Sequence, residues 1–206
     1  MKAMKAKVKI CGLTRLGDAL AALEAGAAYL GFVLHPASPR HIAPEALREL
    51  VRQLPPEAET VGVTVNLPAA RNRELQQFCG LKIVQLHGAE SPEILRELAG
   101  LRVWKALHLR AAGDLAQLER WRACEMVVAD AARGGSGENC DWGLARQAAQ
   151  GRPLMLAGGI RPDNVLGALR QTRPAGVDCA SGVESAPGIK DHAAMAALIN
   201  EARKYE

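Results

Sequence analysis

A parallel (β/α)8 barrel, class α/β, in one domain is the fold that this 206-residue sequence predicts, and three observations carry that expectation. Eight short apolar runs recur along the chain, beginning near Val8, Tyr29, Val61, Ile83, Val103, Met126, Leu154 and Gly176. They read as strands, and their spacing of roughly 20–32 residues is the length of one βα unit. The runs are too apolar to face water, so the sheet must be parallel and covered by helices on its outside. An open doubly wound sheet would instead carry a dinucleotide glycine fingerprint after its first strand. Cys11-Gly-Leu-Thr-Arg15 stands there. A chain this short puts the barrel at the small end of its class, with residues 1–206 as a single catalytic domain and most loops brief.

Between the runs lie helical stripes. Leu16, Ala19, Leu20 and Leu23 form one; Leu47, Leu50, Val51 and Leu54 a second; Met195, Leu198, Ile199 and Ala202 the last. Weaker helical stretches cover Ala69–Cys79, Pro92–Leu98, Asp114–Trp121, Gly143–Gln150 and Asn164–Arg170. Two connections are long for so small a scaffold, Leu34–Ala43 and Ala131–Trp142, and such loops are expected to carry function.

Composition narrows the partners. The net charge of +4 is a balance of 26 basic and 22 acidic residues, and aromatics make up 3%, which gives no case for nucleic acid. No charge-free apolar run approaches a membrane span. Lys2, Lys5, Lys7 and Lys9 crowd the N-terminus and read as a solvated lead-in to the first strand rather than a targeting signal. The five cysteines are widely spaced, without C-x-x-C, so neither a disulfide framework nor a zinc site is expected and a reducing, cytoplasmic setting fits. The five histidines include no H-E-x-x-H, and no metal is expected.

In a barrel of this kind the reactive groups stand at the C-terminal ends of strands. Met126-Val-Val-Ala-Asp130 ends in a carboxylate ahead of a glycine-rich loop; Asp130 is either a turn cap or a group facing the cleft. Cys11, after the first strand, is either a small core filler or a thiol at the mouth able to take a proton. Arg40 follows the stiff loop His35-Pro-Ala-Ser-Pro39 and would offer a planar donor fork to a carboxylate. Gln85 and His87 share one face of the fourth strand, where they could orient a substrate or satisfy one another. Lys105 reads equally as an inward Schiff-base lysine or one snorkelling outward. The seventh run ends in Gly158-Gly159 and the eighth in Ser181-Gly182. Two glycine turns after the last two strands either serve only as tight strand-to-helix turns or let backbone N–H groups approach an anion, the phosphate cradle common in this fold, and the pair of them favours the cradle.

These pieces, in order, resemble the phosphoribosylanthranilate isomerases of tryptophan biosynthesis. The matching motifs are Lys9-Ile-Cys-Gly-Leu-Thr14, Gly31-Phe-Val-Leu-His-Pro-Ala-Ser-Pro-Arg40, Val61-Gly-Val-Thr-Val-Asn66, Val84-Gln-Leu-His-Gly88, Asp130 with Gly134-Gly-Ser-Gly137 and Asp141-Trp142, Ala157-Gly-Gly-Ile160, and Ser181-Gly-Val-Glu184 through Pro187-Gly188 to Asp191-His192. The resemblance implies a (β/α)8 barrel and an Amadori rearrangement of N-(5-phosphoribosyl)anthranilate without cofactor or metal. It implies Cys11 as general base, Asp130 as general acid, Arg40 as the holder of the anthranilate carboxylate, and Gly158, Gly159, Ser181 and Gly182 as the phosphate turns, with Gln85 and His87 lining the site. The expected partner is the small phosphosugar–anthranilate substrate, with a monomer or homodimer as the assembly. Cys140, where the family has Phe, and Cys179-Ala180, where it has a small polar pair, depart from the pattern, and the Ala131–Ser136 loop is somewhat short. The competing readings are another phosphosugar barrel isomerase or a lyase, which would use Lys105 or an Asp in place of Cys11, and a non-catalytic phosphosugar-binding barrel.

Overall fold

The computed structural model describes residues 6–130 and 141–205. Eight strands close a parallel barrel in chain order: β1 (Lys7–Ile10), β2 (Tyr29–Val33), β3 (Thr60–Thr64), β4 (Ile83–Leu86), β5 (Arg102–His108), β6 (Met126–Asp130), β7 (Leu154–Leu156) and β8 (Gly176–Cys179). Closure is made by β1 and β8, with Lys7 opposite Gly176 and Ile10 opposite Cys179. The helices are α1 (Leu16–Ala25), α2 (Pro44–Val51), α3 (Ala69–Cys79), α4 (Ile94–Glu97), α5 (Ala116–Arg120), α6 (Trp142–Gly151), α7 (Val165–Thr172) and α8 (His192–Ala202). None of the described helices is long and apolar enough to cross a membrane.

Two apolar cores follow from the two faces of a strand. Tyr29, Val61, Ile83, Trp104, Met126 and Met155 fill the lumen, where Tyr29 meets Trp104 edge-on at 4.7 Å between ring centroids. The opposite strand faces pack on the helices, and the predicted stripes of α2 (Leu47, Leu50) and α8 (Met195, Leu198, Ile199, Ala202) are buried there. Local chemistry starts these helices where they are needed. Pro44 opens α2; the Asp141 carboxylate accepts from the N–H groups of Gly143 (2.8 Å) and Leu144 (3.0 Å) at α6; Asp191 accepts from Ala194 at α8.

The structure corrects three expectations. Leu20 is turned to solvent, and α1 buries Asp18, Ala19 and Ala22 instead. The reason is polar: the Asp18 carboxylate takes the Lys190 backbone N–H at 3.0 Å and pairs with the His192 ring at 2.8 Å, which rotates that edge of the helix inward. Lys9 is no solvated lead-in; it is fully buried in the lumen. Its face of β1 is the face that carries Cys11, and its register partner on β8 is Asp178, whose Oδ2 lies 2.6 Å from Nζ. The Pro92–Leu98 and Asp114–Trp121 segments supply little helix: α4 is one turn, and a 3-10 turn (Ala112–Leu115) precedes a five-residue α5. After β8 the chain adds a small antiparallel hairpin, β9 (Glu184–Ala186) with β10 (Ile189–Lys190), that the sequence reading does not contain. The Ala131–Ser136 loop and Cys140 lie outside the described residues.

Candidate active site

The strand ends surround a cavity of about 470 Å³ at the C-terminal mouth of the barrel. Nine of the site candidates from the sequence line it, Cys11, Arg40, Gln85, His87, Asp130, Gly158, Gly159, Ser181 and Gly182, and Lys105 does not. Around the closed sheet, β6 and β1 are separated by β7 and β8. The two glycine turns therefore stand on the arc between Asp130 and Cys11.

Cys11 is half-buried. Gly31, its neighbour on β2, has no room for a side chain: a Cβ there would lie 2.7 Å from the Cys11 sulfur and 3.0 Å from Lys9 Cε. The sulfur and the lysine stem thus share one small space. Burial pushes the thiol up, the Lys9 ammonium pulls it down, Asp178 pushes it up again, and the net direction is up. Lys9 itself stays charged: burial works against the ammonium, but the charge and hydrogen bond of Asp178, with a contribution from Cys11, outweigh it and its pKa rises.

Asp130 is buried at the end of β6, and His87 Nε2 stands 3.3 Å from its Oδ2. Gln85 lies beneath, its amide nitrogen 3.4 Å from His87 Nδ1. The His87 ring thus stands between the Gln85 amide and the Asp130 carboxyl. Gln85 and His87 touch without fully satisfying one another, since the buried Gln85 Oε1 has no hydrogen-bond partner among the described residues, and the pair also reaches the carboxylate. His108, from the end of β5, joins them with its ring centroid 6.0 Å from that of His87.

The turns after β7 and β8 form one unit. Gly158 and Gly159 have φ of 81° and 65°, left-handed backbone that glycine adopts without strain. Asn164 ties this turn to α7, donating from Nδ2 to the Gly159 carbonyl (2.8 Å) and accepting from the Arg161 N–H (2.9 Å). Ser181-Gly182 opens a 3-10 turn pressed against it; a Cβ on Gly182 would fall 1.9 Å from the Ile160 carbonyl oxygen. Both turns face the cavity, where glycine lets the backbone come close to an anion.

Arg40 reaches the rim from the loop after β2. Its Nε and Nη2 grip the Glu184 carboxylate at 2.7–3.0 Å. Lys105, by contrast, faces away from this cavity. It donates to Glu90 Oε2 (2.6 Å) and the Gly88 carbonyl (2.5 Å) and lies 5.1 Å from the centre of the Trp121 ring, so the inward Schiff-base reading of Lys105 is set aside. Sequence reasoning missed Lys9, His108, Asp178 and Glu184. For Lys9 a signal existed, since the two-residue alternation that pairs Gln85 with His87 also pairs Lys9 with Cys11.

Comparison with known proteins agrees with this fold. The family profile described as N-(5'phosphoribosyl)anthranilate (PRA) isomerase matches residues 8–201. The N-(5'-phosphoribosyl)anthranilate isomerase of Citrifermentans bemidjiense is 46% identical over 202 residues, covering 96% of this chain and 97% of its own. That of Syntrophus aciditrophicus is 44% identical over 204 residues, covering 97% and 88%. A crystal structure of phosphoribosyl anthranilate isomerase in complex with reduced 1-(o-carboxyphenylamino)-1-deoxyribulose 5-phosphate superimposes with a TM-score of 0.87 at 37% identity, covering 97% of this chain and 99% of that one. By sequence over nearly its whole length and by the closed barrel it forms, the chain belongs to the N-(5'-phosphoribosyl)anthranilate isomerase family.

Proposed function

We propose that this chain converts N-(5-phosphoribosyl)anthranilate to 1-(o-carboxyphenylamino)-1-deoxyribulose 5-phosphate, with Asp130 as general acid and Cys11 as general base. The observation that carries the assignment of roles is positional: a thiol and a carboxyl border one cavity, with an anion seat of two glycine turns on the arc between them. The phosphate would sit on Gly158, Gly159, Ser181 and Gly182, and the anthranilate carboxylate against Arg40. Held at both ends, the reacting carbons come between acid and base.

Asp130 gives a proton to the ribose ring oxygen. The C1′–O4′ bond breaks as the anthranilate nitrogen's lone pair forms an iminium. The C2′ hydrogen is now acidic. Cys11 removes it, the C–H electrons form a C1′=C2′ bond, and the nitrogen recovers its lone pair. The resulting enol-amine tautomerises to the ketone by taking a proton at C1′ and losing one from the C2′ hydroxyl, so the reaction is an isomerisation with no net redox partner. The Gln85–His87 pair holds the Asp130 carboxyl in place. The same reading takes a monomer or homodimer as the working form, and the cytoplasm, where thiols stay reduced, as the setting that suits a cysteine base.

Turnover is followed as loss of substrate fluorescence. Cys11→Ser and Asp130→Asn should each reduce kcat by about 10²–10⁴, while Lys105→Ala retains turnover. A normal rate in Cys11→Ser beside a dead Lys105→Ala would overturn the assignment in favour of a lysine-dependent barrel enzyme. A folded wild-type protein that binds the substrate and leaves it unchanged would favour a non-catalytic barrel.

A further inference from the structure

The hairpin β9–β10 carries two buried charges that the proposed chemistry does not use. Glu184 and Lys190 have side chains 4% and 0% exposed, and their charged atoms are 2.7 Å apart. Each has a second attachment at the rim. Glu184 accepts Nε and Nη2 of Arg40 along the side of the guanidinium, and also the Gly188 N–H at 3.2 Å. Lys190 Nζ donates to the Cys11 carbonyl at 2.6 Å and the Ala180 carbonyl at 3.1 Å. One hairpin thus touches the arginine, the backbone of the thiol residue and the backbone next to the Ser181 turn.

These charges bear directly on Arg40. A guanidinium presents two bidentate edges. Glu184 occupies the side edge, which fixes the plane of the group and leaves the end edge, Nη1 with the outer Nη2 hydrogen, for a second carboxylate. An arginine and the carboxylate it is paired with have no net charge together and would attract a second carboxylate only weakly. Lys190 supplies the missing charge, so that Arg40, Glu184 and Lys190 together carry +1. Gly12 gives the arginine its path: at φ 76° it has no side chain where a Cβ would fall 2.5 Å from Arg40 Cδ.

We infer that Glu184 and Lys190 are a positioning pair for the substrate carboxylate, Glu184 aiming the Arg40 fork and Lys190 keeping the cluster positive. The inference rests on the reading of Arg40 as the carboxylate anchor. Burial pushes Glu184 up, but the hydrogen bonds and charges of Arg40 and Lys190 outweigh it, so it stays ionised, as the role requires.

The test compares N-(5-phosphoribosyl)anthranilate with N-(5-phosphoribosyl)aniline, which lacks the carboxylate. Glu184→Gln and Lys190→Met should each raise KM for the anthranilate substrate about tenfold, the loss of one charge-assisted contact, with kcat within about threefold. KM for the aniline substrate should move by less than about twofold. Because Glu184→Gln leaves the Lys190 ammonium without its carboxylate, the double variant Glu184→Gln/Lys190→Met is measured as well; its cluster stays at +1 through Arg40 alone, so the selective loss expected there is the part due to lost aim. Equal losses on both substrates, or no loss on either, overturn the inference, since a merely structural pair does not distinguish them. Arg40→Leu separates the two readings. A selective loss there with none in the Glu184 and Lys190 variants overturns the positioning pair alone. No selective loss in Arg40→Leu overturns the anchor reading and this inference with it.

Discussion

Cys11 occupies a place that burial makes unfavourable for a thiolate, and the Lys9 ammonium beside it recovers only part of the difference before Asp178 adds its own opposition. In the substrate-free enzyme at neutral pH the group is therefore a thiol, and the base form is a minor species. The pH profile of kcat/KM reports the free enzyme's acid and base together, so the thiol is followed by its own reaction: alkylation of Cys11 by iodoacetamide, read by mass spectrometry, is expected to speed by about tenfold per pH unit above pH 7 until the thiol ionises. An alkylation rate already level at pH 7 would show that the thiol is not raised. Lys9→Met deletes the one charge on β1 that favours the thiolate, and should move the rising limb to higher pH. The same change strands the Asp178 carboxylate, 9% exposed, without its ammonium, so a loss of about 3 kcal/mol is expected in urea denaturation. Cys11 and Asp130 were legible in the sequence because each ends a short apolar run, and strand ends are where this fold places chemistry. Lys9 and Asp178 were not, because their pairing is made by β1 closing on β8. Alternation along β1 puts Lys9 on the face of Cys11 but does not name its partner at the other end of the chain, and one lysine of four near an N-terminus reads as solvated.

At the scale of the elements, the glycine turns were legible and the hairpin was not. Gly158-Gly159 and Ser181-Gly182 follow strands and precede helical patterns, a combination with a physical requirement behind it. The β9 and β10 strands have three and two residues and pair with a register shift, too short for alternation to show in a sequence. The long helices announced themselves through their stripes, with α1 misread because its buried edge is set by Asp18 rather than by leucines. The contact between the two turns gives a prediction of its own. In Gly182→Ala the new Cβ would meet the Ile160 carbonyl at 1.9 Å, and a backbone oxygen cannot give way as a side chain can, so the turn itself must move. A displacement of about 1 Å at a binding group can cost on the order of 10² in rate. Inhibition by inorganic phosphate should weaken in parallel with the loss in kcat/KM. Unchanged phosphate inhibition would mean that the turn after β8 is not part of the anion seat.

For the whole molecule, the reaction face is a ring of strand ends, and its ionic groups link acid stability to the fold. Glu90 and Glu184 are both held below the usual carboxylate range. For Glu90, burial pushes upward, but the Lys105 hydrogen bond, the Asn66 N–H and the Lys105 charge outweigh it. A carboxylate depressed in the folded state contributes stability that is fully present above its unfolded value, about 4.3, and lost as pH falls through the folded value. Unfolding free energy is therefore expected to be level from pH 8 to about 5, as far as these two groups set it, and to fall below about 4.3. The Glu90–Lys105 pair, 2.6 Å apart with both side chains 3% exposed, lies outside the catalytic cavity, so it can be removed without touching the chemistry. Replacing both partners at once, Glu90→Gln with Lys105→Met, avoids a stranded charge, and such replacements of buried pairs are often neutral or stabilising by about 1–4 kcal/mol. The introduced glutamine would keep an oxygen for the Gly88 N–H, and the introduced methionine would keep an unbranched stem over Trp121. Urea denaturation at pH 7 should then give a stability equal to or above that of the parent, while between about pH 5 and 3 the double variant should lose less than the parent does, because Glu184 alone of the two still titrates. An acid slope identical to the parent's would show that the depressed pKa of Glu90 contributes nothing to the stability of the barrel. A loss of turnover with the fold intact would bring Lys105 back into the chemistry from which its outward position removes it.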